Sequence, residues 1–234
     1  RKHRDKVLQQ LLDQPGNSAH LFETLSPREQ DSVRALIGDP IGLENFWKVD
    51  YKRRPPDIEE FISDPYWFGS VLAPSEESEG LYPAWKDILL NDWHMGSNVH
   101  NAVLTGSLGS GKTYCGVTIL LYRLTLVTLL KNPQVFFGLG AGSKIVYNIL
   151  SVTKGQVEET AFGDAKNFMA RSPYFVEECG FDPDAKYSKM VIPFPNNVLL
   201  TAGSKGWHVL GRNVIGVLLD EGNWRMEKDP DEKA

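Results

Sequence analysis

The feature that most constrains this chain is a glycine-rich segment with the pattern G-x-x-x-x-G-K-[ST]. It consists of Gly106, Ser107, Leu108, Gly109, Ser110, Gly111, Lys112 and Thr113. Glycines let such a backbone curl so that successive N–H groups point at phosphate oxygens. A helix that begins at the lysine adds the positive end of its dipole. The segment therefore predicts a phosphate-binding P-loop.

The residue types in this segment also predict how a nucleotide would bind. The backbone from Gly106 to Gly111 would surround phosphate oxygens, Lys112 would reach the β- and γ-phosphates, and the Thr113 hydroxyl would contact Mg²⁺. In a chain of this composition, a chance match to the pattern has a probability of about one in a hundred. We therefore expect a nucleotide site rather than an ordinary Gly/Ser loop.

The flanking residues fit the same prediction. An apolar and β-branched run before the P-loop predicts a strand, and a long apolar run after it predicts a helix. The predicted strands are about 99–105, 144–152, 197–202 and 213–220, and the predicted helices are 112–131 and 155–171. Strands that alternate with helices are typical of a parallel sheet. The sequence therefore predicts an α/β P-loop NTPase core with a mostly parallel central sheet flanked by helices.

The first 97 residues show a different pattern, of short amphipathic stretches separated by breakers. Ser26, Pro27 and Glu29 form a capping box that predicts a helix to about residue 37. Two further short helices are predicted at about 57–62 and 83–91. We therefore predict a small helical N-terminal or lid region over residues 1–97, followed by the P-loop core over residues 98–234.

A second motif lies downstream, where the apolar run from Val214 to Leu219 ends in Asp220 and Glu221. The carboxyl end of a buried parallel strand lies at the sheet edge where phosphates bind. Asp220 is suited to support Mg²⁺, and Glu221 is suited to polarise a water for attack on the γ-phosphorus. Because a kinase can work without that second carboxylate, the motif favours ATP hydrolysis over phosphoryl transfer.

Composition and charge exclude several other classes of protein. The chain has 25 Lys and Arg against 30 Asp and Glu, which argues against a broad basic face that coats nucleic acid. The longest apolar run, Val117 to Leu130, is too short for a bilayer and is interrupted by Arg123, so it predicts a core helix. Cys115 and Cys179 show no metal-ligand spacing, and a reducing compartment is expected.

In the order of its motifs the chain resembles the N-terminal ATPase domain of the large terminase subunit, the motor that packages DNA into the heads of tailed phages. Besides the P-loop and the acidic pair, the similar segments are 56–62, 66–69, 81–89 and 201–224. The resemblance implies an ATP hydrolase of the ASCE type, with an additional strand beside the P-loop strand and a catalytic glutamate. By position it assigns Lys112 and Thr113 to phosphate and Mg²⁺, Asp220 to the metal and Glu221 to the water.

The resemblance further implies an arginine that stabilises transition-state charge. Some relatives carry it where this chain has Leu108, so Arg212 is our candidate. The implied partners are double-stranded DNA, a small terminase subunit, a portal protein and further copies in a ring, in the cytoplasm of an infected bacterium. Terminases continue into a nuclease domain that is not evident in this chain, so we expect weak ATP hydrolysis and no DNA cleavage.

Two other functions remain open from the sequence. A P-loop kinase for a small molecule would need a pocket for the phosphate acceptor, and a nucleotide-binding assembly module would bind ATP without turnover.

Two groups of side chains admit either a binding or a structural role. Lys154, Lys166 and Lys205 could contact nucleic-acid phosphates, but solvated lysines of this kind are more often plain surface. The aromatic residues before the P-loop include Tyr66, Trp67, Phe68, Tyr82 and Trp85, one of which could stack on adenine. Because Tyr82 and Trp85 have a helix-like spacing, we expect core packing instead.

Overall fold

The computed structural model describes residues 26–28, 50–75, 80–94, 97, 99–107, 109–151, 158–185, 187, 190–203 and 213–220. The chain forms two units, residues 1–55 and residues 56–234. In the smaller unit, residues 27 and 28 are helical, where the capping box predicts a helix to begin. The rest of that helix lies outside the described residues. The helices between residues 56 and 97 share a unit with the P-loop, and the functional division at residue 97 stays a prediction.

The larger unit contains a mixed sheet. Its strands are β1 (Ile145–Leu150), β2 (Val191–Phe194), β3 (Val198–Gly203) and β4 (Asn213–Leu219). Among the described residues the order is β2-β3-β1-β4, with β1 parallel to both β3 and β4, and β2 antiparallel to β3. Every residue of β1 is buried, as expected for a central strand that is covered on both faces. The predicted positions of β1, β3 and β4 are confirmed. The prediction that β4 is buried is wrong, because β4 lies at the edge of the described sheet and Val217 and Leu219 are exposed.

Helices surround this sheet. They are α1 (Ile58–Ser63), α2 (Gly69–Leu72), α3 (Pro83–Asp92), α4 (Lys112–Thr128), α5 (Pro133–Phe136) and α6 (Ala161–Ala170), with a π-helical turn over Tyr174–Glu178 and a 3₁₀ turn over Pro195–Asn197. From Cys115 to Thr128 every residue of α4 except Arg123 is buried, which confirms the predicted core helix. None of the helices in the described part of the chain is long and apolar enough to cross a membrane.

Two strand predictions differ from the structure. The prediction of a strand at 99–105 is wrong, because residues 99–107 have no regular secondary structure. Val103 is 88% exposed, so the segment lacks the two-sided burial that stabilises a parallel strand. Conversely, β2 was not predicted, because Pro193 weakens a strand pattern. Its place at the edge of the described sheet explains the proline, since one side of an edge strand needs no N–H donor.

The aromatic residues before the P-loop divide between the core and the surface. Trp67 and Phe68 are buried in a cluster where Phe68 lies 4.7 Å from Phe61 and Trp67 lies 4.7 Å from Tyr174 between ring centroids. The prediction of core packing is wrong for Tyr82 and Trp85, because α3 buries only Leu89. Tyr82 is 37% exposed, and Trp85 is half-buried. Helix-like spacing therefore did not distinguish a core face from a surface face.

The P-loop helix and the strand that ends in Asp220 pack closely at one glycine. A Cβ atom at Gly116 would lie 2.8 Å from Leu218 Cδ1, so a larger residue would force this contact apart. The backbone N–H of Asp220 still donates to the Leu150 carbonyl at 2.8 Å, one residue beyond β4. This packing fixes the first turns of α4 beside the carboxyl end of β4.

Both cysteines should be unreactive in the folded protein, because Cys115 and Cys179 are buried. Burial raises the pKa of the Cys115 thiol to about 12, so little reactive thiolate forms there near neutral pH. We expect a water-soluble aromatic disulfide to label neither thiol in native protein, and to label both after denaturation in guanidinium chloride. Glu59→Cys, which places a thiol on an exposed position of α1, is the control and should react at once. Rapid labelling of a thiol in the native parent chain would contradict its burial, and peptide mapping would show whether Cys115 or Cys179 reacted.

Candidate nucleotide-binding site

The P-loop connects the irregular segment 99–107 to α4 through two glycines with positive φ. Gly109 has φ of 74° and Gly111 has φ of 77°, in the left-handed region that other residues rarely adopt. Gly111 is the N-cap of α4, and the first helical hydrogen bond runs from the Cys115 N–H to the Gly111 carbonyl at 2.9 Å. The glycine pattern therefore forms the tight turn into a helix that the sequence predicts, although without a strand before it.

The N-terminus of α4 is suited to bind an anion. The first N–H groups of a helix have no partner within the helix, and here the N-cap contributes no side-chain hydrogen bond to them. The first turn also carries no acidic residue. A negative ligand would therefore gain both hydrogen-bond donors and the positive end of the helix dipole.

The Lys112 ammonium group lies inside the loop. Its Nζ atom donates to the Ser107 carbonyl at 2.7 Å, the Gly106 carbonyl at 3.1 Å and the Ser110 hydroxyl at 3.3 Å. All three acceptors are neutral, whereas a phosphate oxygen carries a negative charge that attracts the ammonium group more strongly. The lysine is thus already in the loop and has a stronger partner available when a polyphosphate binds.

Thr113 and Asp220 meet beside the P-loop, although they are 107 positions apart in the chain. The Thr113 hydroxyl donates to Asp220 Oδ1 at 3.0 Å. The other carboxylate oxygen, Oδ2, accepts from the Thr160 hydroxyl at 3.2 Å. Both oxygens of Asp220 are therefore oriented by hydroxyl groups from two different helical segments.

These oxygen atoms suit Mg²⁺, which usually binds one or two carboxylates together with phosphate oxygens and waters. Thr113 and Asp220 would hold the ion. Within the described ranges no group of three or more His, Cys, Asp and Glu residues could hold a metal. In a nucleotide-dependent Mg²⁺ site the other ligands usually come from the nucleotide and from water.

A second carboxylate, Asp164 on α6, lies near Asp220. Burial raises the pKa of Asp164, and the negative charge of Asp220 raises it further. Two carboxylates that share a half-buried region repel each other, so a cation between the loop and Asp220 would relieve part of this repulsion. The site therefore combines a positive helix end with two nearby carboxylates.

Sequence reasoning missed Thr160 and Asp164. No short motif marks them, since Thr160 is 60 positions from its partner Asp220. The available signal was topological: β1 and β4 are parallel neighbours, so the segment that follows β1 starts at the same sheet edge as Asp220.

Three of the predicted site residues lie outside the described residues, namely Leu108, Arg212 and Glu221. The structure brings the other predicted residues together, from Gly106 through Thr113 to Asp220, and their roles stay predictions. Lys154 and Lys205 also lie outside the described residues. Lys166 lies on α6, with its ammonium group 5.5 Å from the centre of the Phe162 ring.

The α/β fold and the glycine-rich turn into α4 define a P-loop domain. The chain belongs to the family described as "Uncharacterized protein MJ0330, N-terminal P-loop domain", whose model matches residues 25–231. No significant match was found among the curated proteins or among the solved structures. The family match includes both the P-loop and the acidic motif, and its description names neither a terminase nor a substrate.

Thr113→Val should weaken the binding of ATP only when Mg²⁺ is present. The change removes the hydroxyl that contacts Asp220 but preserves the shape of the side chain, so we expect a roughly ten-fold loss of affinity, or about 1.4 kcal/mol. Isothermal titration calorimetry with Mg²⁺, and again with a chelator, measures both affinities. Thr113→Ser keeps a hydroxyl and is the matched control. An equal loss with and without Mg²⁺ would contradict a metal-related role for this hydroxyl.

Proposed function

We propose that this domain binds ATP with Mg²⁺ at the P-loop and hydrolyses it. The observation that carries the proposal is the 3.0 Å hydrogen bond between Thr113 Oγ1 and Asp220 Oδ1. It supports a cation site directly beside the helix end and the lysine that a polyphosphate requires. A glycine loop with a merely structural role would not need a carboxylate held at this position.

Different residues would bind the phosphates and the metal ion. The N–H groups at the start of α4 and the Lys112 ammonium group would bind phosphate oxygens, with Lys112 exchanging loop oxygens for the β- and γ-phosphates. Thr113 and Asp220 would hold Mg²⁺, with Thr160 orienting the Asp220 carboxylate. When bound, Mg²⁺ neutralises charge that develops on the transferring phosphoryl group.

For the hydrolytic step we propose that Glu221 accepts a proton from the attacking water. The water oxygen forms a bond to the γ-phosphorus while the bond from that phosphorus to the β–γ bridging oxygen breaks, which yields ADP and phosphate. Support comes from the sequence, since Glu221 directly follows Asp220. On the basis of the terminase resemblance, we propose that Arg212 supplies the positive charge that stabilises the transition state. The same resemblance supports our proposal of an ASCE type of fold.

Lys112→Ala and Glu221→Gln should separate binding from chemistry. Loss of the lysine should weaken ATP binding and abolish hydrolysis, because its ammonium group would bind the phosphates. Loss of the Glu221 charge should leave ATP affinity almost unchanged and lower the hydrolysis rate by about 10²–10⁴-fold, the usual contribution of a general base. Calorimetry and phosphate release measure the two effects on the same preparations.

The other functions predict different results in this experiment. Full hydrolysis by Glu221→Gln would reject its role as the base. ATP binding without phosphate release by the parent chain would favour the assembly module. Phosphate transfer to an added acceptor, without release to water, would favour the kinase.

We further propose that hydrolysis drives the movement of double-stranded DNA during viral genome packaging. The order of motifs between residues 53 and 225, which resembles the ATPase domain of large terminase subunits, is the support for this role. The same resemblance suggests a portal protein, a small terminase subunit and a ring of copies as partners, in the cytoplasm of the infected host.

Linear double-stranded DNA should raise the rate of ATP hydrolysis several-fold if the domain is part of a translocating motor. Because contacts to phosphates release counterions, this stimulation should fall as salt increases from about 50 to 200 mM. The assay compares phosphate release with DNA, without DNA and with heparin, a polyanion that lacks the duplex. A rate that DNA does not change at any salt concentration, while ATP is still hydrolysed, would reject the packaging role and retain the ATPase.

A further inference from the structure

A cavity of about 210 Å³ lies beside the P-loop. Gly109, Gly111 and Tyr114 line one side of it, and Leu81, Tyr82 and Trp85 line the other. A site that encloses a complete drug-sized ligand usually has about 300–1,000 Å³, so this cavity suits one ring system rather than a whole nucleotide. Because Gly109 and Gly111 belong to the P-loop as well, a ring bound here would continue directly from phosphates in the loop.

The aromatic side of the cavity contacts the P-loop backbone. A Cβ atom at Gly111 would lie 3.1 Å from Tyr82 Cδ2 and 3.4 Å from Trp85 Nε1. The Trp85 indole donates from Nε1 to the Ser110 carbonyl at 2.5 Å. The start of α3 is therefore attached to the loop itself, and we call Tyr82 and Trp85 together the aromatic shelf.

The aromatic shelf is not fully buried in the core. Leu89 is the buried residue of α3, whereas Tyr82 is 37% exposed. A large aromatic ring that stays accessible at the mouth of a cavity is the arrangement on which nucleobases stack, because every base has a π-face.

The polar atoms of the lining indicate how such a base would be recognised. Besides Tyr82, two of the side chains that line the cavity carry polar atoms, and both already bond to backbone carbonyls: Trp85 to Ser110, and Tyr114 to Val71 at 2.8 Å. Among the described lining residues, few side-chain groups thus remain to read the hydrogen-bonding edge of a base. Recognition would depend on the face and the size of the ring.

We propose that the aromatic shelf is the base-binding part of the nucleotide site, and that it accepts the purine ring of a nucleoside triphosphate by stacking with little selection between adenine and guanine. This inference rests on the proposed function, since the shelf would act only on a nucleotide whose phosphates occupy the P-loop. It deepens that function by naming the ligand class as purine nucleoside triphosphates rather than ATP alone.

Calorimetry with the Mg²⁺ complexes of ATP, GTP and tripolyphosphate tests this proposal, since tripolyphosphate reports on the P-loop without a base. For the parent chain we expect ATP and GTP to bind within about three-fold of each other, and both to bind about ten-fold more tightly than tripolyphosphate, in line with the usual contribution of a stacked base. Tyr82→Ala should remove this advantage of both nucleotides and leave tripolyphosphate unchanged. Tyr82→Phe keeps the ring and should bind like the parent chain.

The outcomes distinguish the shelf from the phosphate site. Unchanged ATP affinity in Tyr82→Ala, with tripolyphosphate also unchanged, would reject the shelf and retain the nucleotide site. Much weaker binding of GTP than of ATP would reject recognition by stacking alone. Failure of the folded parent chain to bind either ATP or tripolyphosphate would reject the nucleotide site, and the shelf with it.

Discussion

The close packing of α4 on β4 is the constraint on which the rest of this site depends. Gly116 allows the approach, because Leu218 fills the space that a side chain would need. The consequence appears less than one helical turn earlier, where Thr113 reaches Asp220. Two motifs from opposite ends of the core are thereby joined by one hydrogen bond, and the candidate nucleotide site lies where they meet.

The site contains both positive and negative groups, and a nucleotide with its metal would supply the opposite charge to each. On one side are the uncapped end of α4 and the Lys112 ammonium group, which favour an anion. On the other side Asp220 and Asp164 repel each other, and a cation would relieve this repulsion. A polyphosphate alone would leave the acidic side unbalanced, and a metal alone would leave the basic side unbalanced. The arrangement thus fits the pair better than either component.

The segment before the P-loop contacts the loop as well as the core. α3 lies within the N-terminal region predicted up to residue 97 and belongs to the same unit as the P-loop. Its first turn reaches the loop through the hydrogen bond from Trp85 to Ser110. By contrast, Trp67 and Phe68 lie in the aromatic core around α1 and the π-helical turn. Neighbouring aromatic residues in the sequence therefore have different roles.

The sequence by itself determined the features that depend on neighbouring residues. It determined the turn into α4, because glycines at 109 and 111 permit the positive φ that the turn needs, and the buried strands β1 and β3, because continuous apolar runs require cover on both faces. Only the tertiary structure decided which distant groups meet, such as Thr160 with Asp220 and Tyr82 with Gly111. It also decided that residues 99–105 form no strand. Local propensity cannot settle such outcomes, because they depend on whether another part of the chain supplies a partner or a covering surface.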